Sequence, residues 1–548
     1  MEGTLSLASR TPRGRGVVVD SSGGRPVNNG WRNPFLADSE YPIAHGRCDQ
    51  RDSTSSDGPI PNGIEVVSDS ERQHAWLGPG HFGGLISGTY PDGGRTIWSN
   101  GRECIAKLNY DTLEVLTALD LSDERPEEEG SCRADWETAL AGLDEGIYGD
   151  ETTPVLHAAE LASRFLTGLD GVYALLDCEH TLFLGRKQAV VAYTEVDPTD
   201  RWSPLREKAR WQKPGEVEGS FVGINMTPDG RLVLSTDHGW LISLARDFSE
   251  HVATFLPGSE VAAEHCARME AERGNTGYGW VRTSLCCDDQ GGVYASSNDR
   301  THRVVWTGDQ FSFNEADGAW SAAYRNGSGR GSGTTPSLMG DDPEADRFVV
   351  IGDGDEVVNI TLFWRDAIPE NWECLPGAPS RRIAGLGPAH MGDPDRTAIQ
   401  TEQSITVAGW GAMTVDNEPR SLPEWLPQRG ARLLCFFLGH HERFRPSGMH
   451  KYEWDPDGQT LRESWVSEVA SPNSVPSVSV GSDTVYTCGT RDGKWTIEAV
   501  NWTTGESRGY WILGNSQFNS LGAAVHLDED GQIIFGNAFG KTRILRRP

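Results

Sequence analysis

The feature of the sequence that most constrains the fold is a short unit that recurs along the chain. Each copy has an apolar run that often opens with Ser or Thr, then an Asp/Gly turn, a β-branched strand, a polar turn and an aromatic-rich strand. Four copies occupy residues 220–245, 280–306, 474–502 and 518–545. Repetition of one small β-sheet along a chain is typical of radial architectures. The repeats therefore predict an all-β protein, a β-propeller with eight blades, or with seven as the natural alternative.

The rest of the chain predicts an arm attached to one large domain. Residues 1–65 contain many turn formers and no clean hydrophobic period, so we predict an N-terminal arm and a loop that covers one face. Residues 66–548 are predicted to form a single propeller domain. Helical patterns predict a small helical insertion at about 130–169, after the first blade, and a shorter helix at 260–273. The apolar run ARLLCFFLG, at 431–439, is assigned to the sixth blade.

The charge of the chain restricts its partners. The formal net charge is −30, with 49 basic and 79 acidic residues. Nucleic acids and anionic membranes both require a basic face, so we expect neither as a partner and predict a small-molecule ligand instead. The N-terminus lacks the apolar stretch of a secretory signal, and no apolar run is long enough to span a bilayer. The sequence therefore predicts a cytoplasmic protein.

Polar residues stand where the innermost strand of a blade is predicted to begin. Such positions line the channel of a propeller, and they carry Glu402, Gln403, Asn473 and Asn519 in the later blades. Charged and amide groups suit a wet channel that binds a polar molecule. The alternative is that they form hydrogen bonds between neighbouring blades. We predict that these four residues bind the substrate.

The densest group of polar residues is HGRCDQRD, at 45–52. A histidine exchanges protons near neutral pH, and a carboxylate beside it orients the ring and tunes its basicity. We predict that His45, Asp49 and Asp52 carry out acid–base catalysis and that Arg47 contacts an anionic part of the substrate. The alternative is a surface loop with ordinary solvated charges.

Histidines also raise the question of a metal. Four of them, His45, His81, His390 and His450, are candidates for a non-haem iron at the propeller axis, as in carotenoid-cleavage oxygenases. The chain lacks the extended histidine-containing strand motifs of that family. We therefore predict no metal ligands and assign His81 to substrate binding.

Two local patterns resemble a known family. Cys286 and Cys287 are adjacent and precede an Asp, and the segment AVNWTTGESRGYW carries Ala499, Thr504 and Gly505 at the spacing of a blade-locking motif. These features are similar to those of quinoprotein alcohol dehydrogenases, which are eight-bladed propellers. Many of those enzymes have a vicinal cysteine pair followed by Asp beside the quinone. The resemblance implies the fold.

The resemblance does not extend to the cofactor. Asn501 replaces the Asp of the blade-locking motif, and Trp511 comes two positions late. The dehydrogenases are exported and bind calcium or a lanthanide, whereas this chain shows no export signal. The cofactor therefore stays unknown at this stage, and the cysteine pair has a simpler reading as two buried small residues.

Together these observations favour an enzyme that acts on a small polar or amphipathic molecule at the mouth of the central channel. The chemistry predicted from the histidine and carboxylates is acid–base catalysis, in a lyase, isomerase or hydrolase. A scaffold propeller that binds other proteins is the alternative from a different class. A further alternative is an oxidoreductase that depends on non-haem iron or a quinone.

Overall fold

The computed structural model of the protein describes residues 30–121, 132–145, 152–166, 171–273, 278–426, 431–537 and 539–546. Strands dominate these ranges and are grouped in eight sheets of at least four strands. The predicted β-propeller fold is confirmed. None of the helices in the described ranges has both the length and the apolar character needed to cross a membrane.

Three strands come before the first complete sheet: β1 (Ser53–Thr54), β2 (Gly63–Val66) and β3 (Arg72–Trp76). The next four sheets follow in chain order: β4 (Leu85–Ile86), β5 (Thr96–Asn100), β6 (Cys104–Asn109), β7 (Val115–Asp120); β8 (Ala174–Leu176), β9 (Leu182–Arg186), β10 (Ala189–Glu195), β11 (Leu205–Gln212); β12 (Phe221–Met226), β13 (Leu232–Thr236), β14 (Trp240–Leu244), β15 (His251–Phe255); β16 (Cys286–Cys287), β17 (Gly292–Ser296), β18 (Arg300–Trp306), β19 (Phe311–Ser312), β20 (Trp320–Ala323).

The other four sheets complete the set: β21 (Ser337–Met339), β22 (Phe348–Gly352), β23 (Asn359–Trp364), β24 (Ile383–Pro388); β25 (Thr406–Ala408), β26 (Gly411–Val415), β27 (Met449–Asp455), β28 (Thr460–Ser467); β29 (Ser477–Ser479), β30 (Thr484–Arg491), β31 (Lys494–Asn501), β32 (Ser507–Gly514); β33 (Val525–Leu527), β34 (Ile533–Asn537), β35 (Gly540–Ile544). Within most sheets the strands pair in chain order and run antiparallel.

Burial explains the sequence pattern of the blades. A middle strand such as β22 or β23 is covered on both faces by neighbouring sheets, so it reads as a continuous apolar run. An outer strand such as β11 has one face in water, and its buried and exposed residues are mixed. The core is therefore divided into layers between adjacent sheets rather than gathered in one cluster.

The N-terminal strands join the ring to itself. β3 pairs antiparallel with β35 and so supplies the outer strand of the last sheet. β1 and β2 pair in parallel with β29 and β32, at the inner and outer edges of the preceding sheet. The predicted arm, in its part before residue 30, lies outside the described residues, and the predicted domain boundary at residue 65 stays a prediction.

The described residues contain four α-helices: α1 (Arg133–Glu145), α2 (Thr152–Leu161), α3 (Ala262–Arg273) and α4 (Ala431–Leu438). α1 and α2 form the predicted insertion after the first sheet, and a π-helical turn continues α2 over Ala162–Leu166. Short 3₁₀ helices span Asp69–Glu71, Ser259–Val261, Glu315–Asp317 and Ser516–Phe518.

The assignment of ARLLCFFLG to a strand was wrong, because its first eight residues form α4. The buried Leu434, Phe437 and Leu438 pack with the apolar side chains of α1 and α2. An unbroken apolar run does not distinguish a helix from a strand, and here the packing partners are helices. α1, α2 and α4 thus form one helical layer beside the propeller.

Candidate functional site

The N-terminal segment crosses the centre of the ring. The first strands of neighbouring sheets contact one another and so surround the axis. We call residues 33–54 the axial segment, because they contact the first strand of each of the eight sheets. The contacts are Tyr41 O with Ile86 N, Ala37 N with Leu176 O, Asn33 Nδ2 with Met226 O, Cys48 O with Cys287 N, Asp49 O with Leu338 N, Arg51 O with Val407 N, Asp52 O with Val478 N, and the Tyr41 ring with His526.

Within the axial segment, residues 45–52 form a tight loop that brings two predicted residues together. His45, Gln50 and Asp52 adopt the left-handed conformation, with φ values of 64°, 57° and 54°. Such conformations cost about 1–3 kcal/mol each outside glycine and concentrate at functional sites. The Gln50 side-chain amide donates to the carbonyl oxygens of Ala44 and Arg47, at 2.9 and 2.7 Å, and so holds the loop closed.

The closed loop creates a histidine–aspartate pair. The His45 Nδ1 atom lies 2.7 Å from the Asp52 Oδ2 atom, and the Asp52 side chain is fully buried. Burial raises the pKa of Asp52, and the adjacent imidazole opposes this by favouring the ionised carboxylate. A proton on Nδ1 fixes the tautomer, so that Nε2 carries the lone pair. No group in the described residues is hydrogen-bonded to Nε2.

His45 lies at the floor of a cavity on the axis. The cavity has a volume of about 350 Å³ and is lined by residues that precede the first strands of several sheets, such as Gly83, Tyr173, Gln403 and Val475. Because the first strands all leave this end of the ring, the cavity opens at one face. The axial segment closes it from the other face. We call it the axial cavity.

A carboxylate on the wall of the axial cavity belongs to an ion pair. Glu402 Oε2 accepts a 2.6 Å hydrogen bond from Arg282 Nη2, and Arg432 Nη2 is 3.7 Å away. Burial raises the pKa of Glu402, but the two guanidinium groups outweigh burial and hold it below the ordinary value. Glu402 therefore stays ionised at neutral pH. Arg432, at the start of α4, keeps a third of its side chain exposed.

A second imidazole, that of His526, also lines the axial cavity. Its ring stacks on Tyr41 at a centroid distance of 3.8 Å, and the side chain is buried. Burial, together with the positive charges of Lys541 and Arg543, lowers the pKa of His526 to about 3. His526 is therefore neutral at physiological pH and offers one hydrogen-bond donor and one acceptor.

The structure thus groups three of the predicted residues around the axial cavity. His45, Glu402 and Gln403 line it, and Asp52 lies directly behind His45. Apolar side chains of the lining include Phe82, Phe436 and Leu521. The arrangement combines one available base, one fixed anion and an apolar wall, which suits a small amphipathic ligand.

Asn473 and Asn519 lie elsewhere, as a correction to their predicted role. The Nδ2 atoms of both donate to the carbonyl oxygen of Phe436, at 2.8 and 2.7 Å, and Asn473 also donates to Asn519 Oδ1. They therefore fix the C-terminal turn of α4 against the blades. Both side-chain amides donate to protein atoms, which agrees with the alternative interpretation that these residues form structural hydrogen bonds.

Three other predicted residues do not reach the axial cavity either. Asp49 pairs with Arg51 at 2.8 Å and lines a separate cavity. Arg47 donates to the carbonyl oxygen of Gly30 and lies 3.9 Å from Glu40. His81 is fully buried and bonds Ser99, and burial with the nearby Lys541 lowers its pKa to about 3. The structure therefore gives these three residues protein partners rather than a place in the axial cavity.

The four candidate iron ligands are not brought together. His45 pairs with Asp52, His81 bonds Ser99, and His450 Nε2 lies 3.0 Å from Glu463. Across the described ranges, no group of three or more His, Cys, Asp or Glu side chains is arranged to hold a metal ion.

Sequence reasoning missed Tyr41, His526, Arg432 and Phe436. His526 lies in the first strand of the last repeat, and its position in that strand was the available signal. Arg432 and Phe436 were missed because their segment was assigned to a strand rather than to α4.

With the fold and the cavity described, the class of the protein is clear: it is a β-propeller. The quinohemoprotein alcohol dehydrogenase ADHIIG from Pseudomonas putida HK5 matches 94% of this chain and 81% of its own, with a TM-score of 0.51 and 10% identity. The quinohemoprotein alcohol dehydrogenase of Comamonas testosteroni matches 95% and 82%, with a TM-score of 0.48 and 11% identity. At such identities the likeness is one of fold alone.

A relative found by sequence similarity places the chain in a family. A protein of Archaeoglobus fulgidus, described as an uncharacterized protein, is 31% identical over 455 residues, which cover 80% of this chain and 82% of that protein. The chain belongs to the family of this archaeal protein. No protein-family model matches the chain.

The lining of the axial cavity lacks the cysteine pair that lies beside the quinone in many quinoprotein dehydrogenases. Cys286 and Cys287, which resemble the cysteine pair of the quinoprotein dehydrogenases, are free thiols on β16. Cys287 lines the cavity that also contains Asp49, not the axial cavity. The described residues also provide no cluster of ligands for the accompanying metal. No step of the chemistry below therefore involves a quinone.

Proposed function

We propose that the protein is an enzyme that binds a small amphipathic molecule in the axial cavity and transfers a proton through His45. The supporting observation is the 2.7 Å contact between His45 Nδ1 and Asp52, which directs the basic Nε2 atom away from its partner in a ring that borders the cavity. Asp52 is a positioning residue, because it touches His45 and not the ligand.

In this proposal the other groups of the axial cavity have complementary roles. The ligand's apolar part contacts Phe82 and Phe436, and its polar part meets the two imidazoles near the floor. His45 Nε2 accepts a proton from the bound molecule or from a water beside it, and the resulting imidazolium is stabilised by the Asp52 carboxylate. Neutral His526 donates a hydrogen bond to an oxygen of the ligand. Such chemistry belongs to a lyase, an isomerase or a hydrolase.

The binding step is tested with a variant that fills the axial cavity. Gly83 lines the cavity, and a Cβ atom placed on it meets nothing within 4 Å. Gly83→Leu therefore adds a bulky side chain at the wall of the axial cavity, with open space at its Cβ atom. The matched control is Gly215→Leu, at an exposed glycine that also has open space around its Cβ position.

The measurement is ligand-observed NMR with a library of small ketones, esters, amides and carboxylic acids. We expect compounds that bind the wild type and the Gly215→Leu control but not Gly83→Leu. Compounds that bind all three proteins equally would show that the ligand binds elsewhere and would contradict the proposal. The proposal would also be contradicted if no compound in the library lost its binding in Gly83→Leu.

The chemical step is tested on the compounds so identified. In D₂O, proton transfer at a carbon exchanges hydrogen for deuterium, and hydrolysis releases a product visible in the same spectra. We expect His45→Gln to slow either reaction at least ~100-fold, the range of general acid–base catalysis. Unchanged rates in His45→Gln would exclude His45 as the base.

A second candidate function is the binding of a partner protein, and the edge strand β2 favours it. β2 lies at the outer edge of its sheet, and its Ile64 and Val66 side chains are 64% and 71% exposed. An edge strand with exposed apolar residues is able to pair with a strand of another chain. A Val66→Pro substitution that weakens a complex formed by the wild type, while ligand binding persists, would support this function.

A further inference from the structure

A second cavity lies at the other end of the ring. Its volume is about 520 Å³, and it is lined by residues that follow the first strands of two neighbouring sheets, such as Asp288 after β16 and Gly340 after β21. The axial segment separates it from the axial cavity, because Asp49 and Arg51 point to this side while His45 lines the other. We call it the opposite-face cavity.

One guanidinium group in the opposite-face cavity has no bonded partner. Arg365 is only 5% exposed, and its Nε atom is buried without a hydrogen bond. Its guanidinium forms no hydrogen bond or ion pair with any residue in the described ranges. Asp288 interacts with Arg365 only through space, because its oxygens accept hydrogen bonds from Tyr294 and from the backbone of Gly292.

The other cations of the opposite-face cavity are already matched. Arg51 lies 2.8 Å from Asp49 and 2.5 Å from Asp341, and Arg347 lies 2.8 Å from Asp366. Among the described residues that line this cavity, Arg365 is therefore the cation without a contacting anion, and Asp288 acts on it only through space. Removing a charge from water costs several kcal/mol unless a counter-charge compensates for it. An anionic ligand would supply that compensation.

The rest of the lining indicates which anion fits. Trp31, Leu338 and Pro343 give the cavity apolar walls beside Arg365. A guanidinium fork matches the two oxygens of a carboxylate, and an indole offers a flat face to a ring or an alkyl chain. We propose that the opposite-face cavity is a second binding site, which takes a small organic carboxylate with its charge on Arg365 and its apolar part against Trp31.

The proposal is tested by calorimetry on the full-length protein with four sodium salts: benzoate, acetate, phosphate and chloride. All titrations are run at about 0.15 M ionic strength, where the Debye length of about 8 Å screens the negative net charge. We expect benzoate to bind more tightly than acetate or phosphate, and chloride not to bind. Equal or tighter binding of phosphate would overturn the assignment to an organic carboxylate, and no binding of any salt would overturn the site.

Variants connect the binding to Arg365. Arg365→Met should weaken benzoate binding at least ~10-fold, since a hydrogen bond to a charged group contributes that much or more. Arg365→Lys should retain only part of the affinity, because an ammonium lacks the two-pronged geometry. Arg325→Met, which removes an arginine that is not part of the cavity lining and is bonded to Gly377, is the matched control and should bind normally. Normal binding by Arg365→Met would contradict the proposal.

Stability without ligand separates binding from a structural role. A residue that holds the fold together destabilises the protein when it is replaced, whereas a buried charge with no bonded partner does not. We expect the melting temperature of ligand-free Arg365→Met to equal or exceed that of the wild type. A fall of more than ~3 °C would show that Arg365 is structural and overturn the proposal.

Discussion

Two buried pairs of opposite charge, one within the blades and one in the axial segment, differ in what surrounds their polar atoms. Lys107 and Glu195 lie within the blades, and both side chains are fully buried. His45 and Asp52 lie in the axial segment, nearly as deeply buried. The lysine donates to Glu195 at 3.1 Å and to Ser203 O at 2.9 Å, so it faces only protein. The Oε2 atom of Glu195 has no hydrogen-bond partner among the described residues, but it is buried, whereas His45 Nε2, equally without a partner there, belongs to a ring that lines the axial cavity.

The backbone conformation also differs between the two pairs. Lys107 and Glu195 stand on β6 and β10, where ladder hydrogen bonds fix each side chain at little conformational cost. His45 and Asp52 are held by left-handed residues and by the side chain of Gln50. Regular backbone therefore supports the pair within the blades, and left-handed backbone supports the pair at the axial cavity.

The largest expected effect comes from breaking the pair in the blades. Glu195→Ala leaves Lys107 buried without its carboxylate, and we expect a loss of about 3–5 kcal/mol in the free energy of unfolding, measured by urea denaturation. The double variant Lys107→Met/Glu195→Leu removes both charges and should recover most of that loss. If the single variant costs less than Asp52→Leu, the contrast between the two pairs is incorrect.

Next comes Lys541, a buried cation bonded to the carbonyl oxygens of His81 and Phe82. Burial lowers its pKa to about 7, below the value near 10.5 in the unfolded chain. Between these values the unfolded chain binds the proton and the folded protein does not, so stability should rise as the pH rises from 7 to 10.

We expect Lys541→Met to reduce that slope by up to ~1.4 kcal/mol per pH unit, measured by denaturation at several pH values. The exposed Lys208→Met is the control and should keep the slope of the wild type. An identical slope in Lys541→Met and the wild type would show that Lys541 is protonated in the folded protein.

A smaller effect on stability, but a clear spectroscopic one, is expected for Asp52→Leu. Loss of the carboxylate leaves the buried Nδ1–H of His45 without its acceptor, at a cost of about 1–3 kcal/mol. In ¹⁵N-histidine-labelled protein, the His45 signals should change from the Nδ1–H tautomer towards the Nε2–H tautomer. Asp52→Asn, whose amide oxygen still accepts a hydrogen bond, should keep the original tautomer. Identical spectra for the wild type and Asp52→Leu would refute the positioning role.

The smallest expected effect concerns the attachment of α4. Asn519→Ala removes one of the two side-chain donors to the Phe436 carbonyl oxygen and should lower the free energy of unfolding by about 1 kcal/mol. Hydrogen exchange should become faster in α4 and stay unchanged in the blades. Asn501→Ala, at a turn on the outer part of a blade, is the control. Uniformly faster exchange would mean that Asn519 supports the whole ring instead.

The comparison also explains what was predictable from the sequence. The blades were predictable because their signals are local: turn residues and apolar strands recur in each copy, as in β12 to β15. The density of polar residues at 45–52 marked the right loop. That His45 meets Asp52 rather than Asp49 depends on the left-handed residues and on Gln50, which no local pattern reveals.

The sequence could not predict the roles of residues whose contacts lie far away in the chain. Asn473 and Asn519 occupy the expected strand starts, but they bind Phe436 because α4 packs there. Burial lowers the pKa of His526 most, and the positive charges of Lys541 and Arg543, which the sheet brings alongside, lower it further. In each case a contact between segments far apart in the chain decides the chemistry.

The path of the axial segment has a consequence for biosynthesis. Asp52 leaves the ribosome early, yet its carbonyl oxygen bonds the backbone of Val478, which is made more than four hundred residues later. Contacts of such long range form slowly, and a nascent chain exposes the groups that wait for them. The loop at residues 45–52 therefore cannot take its final shape until translation is nearly complete.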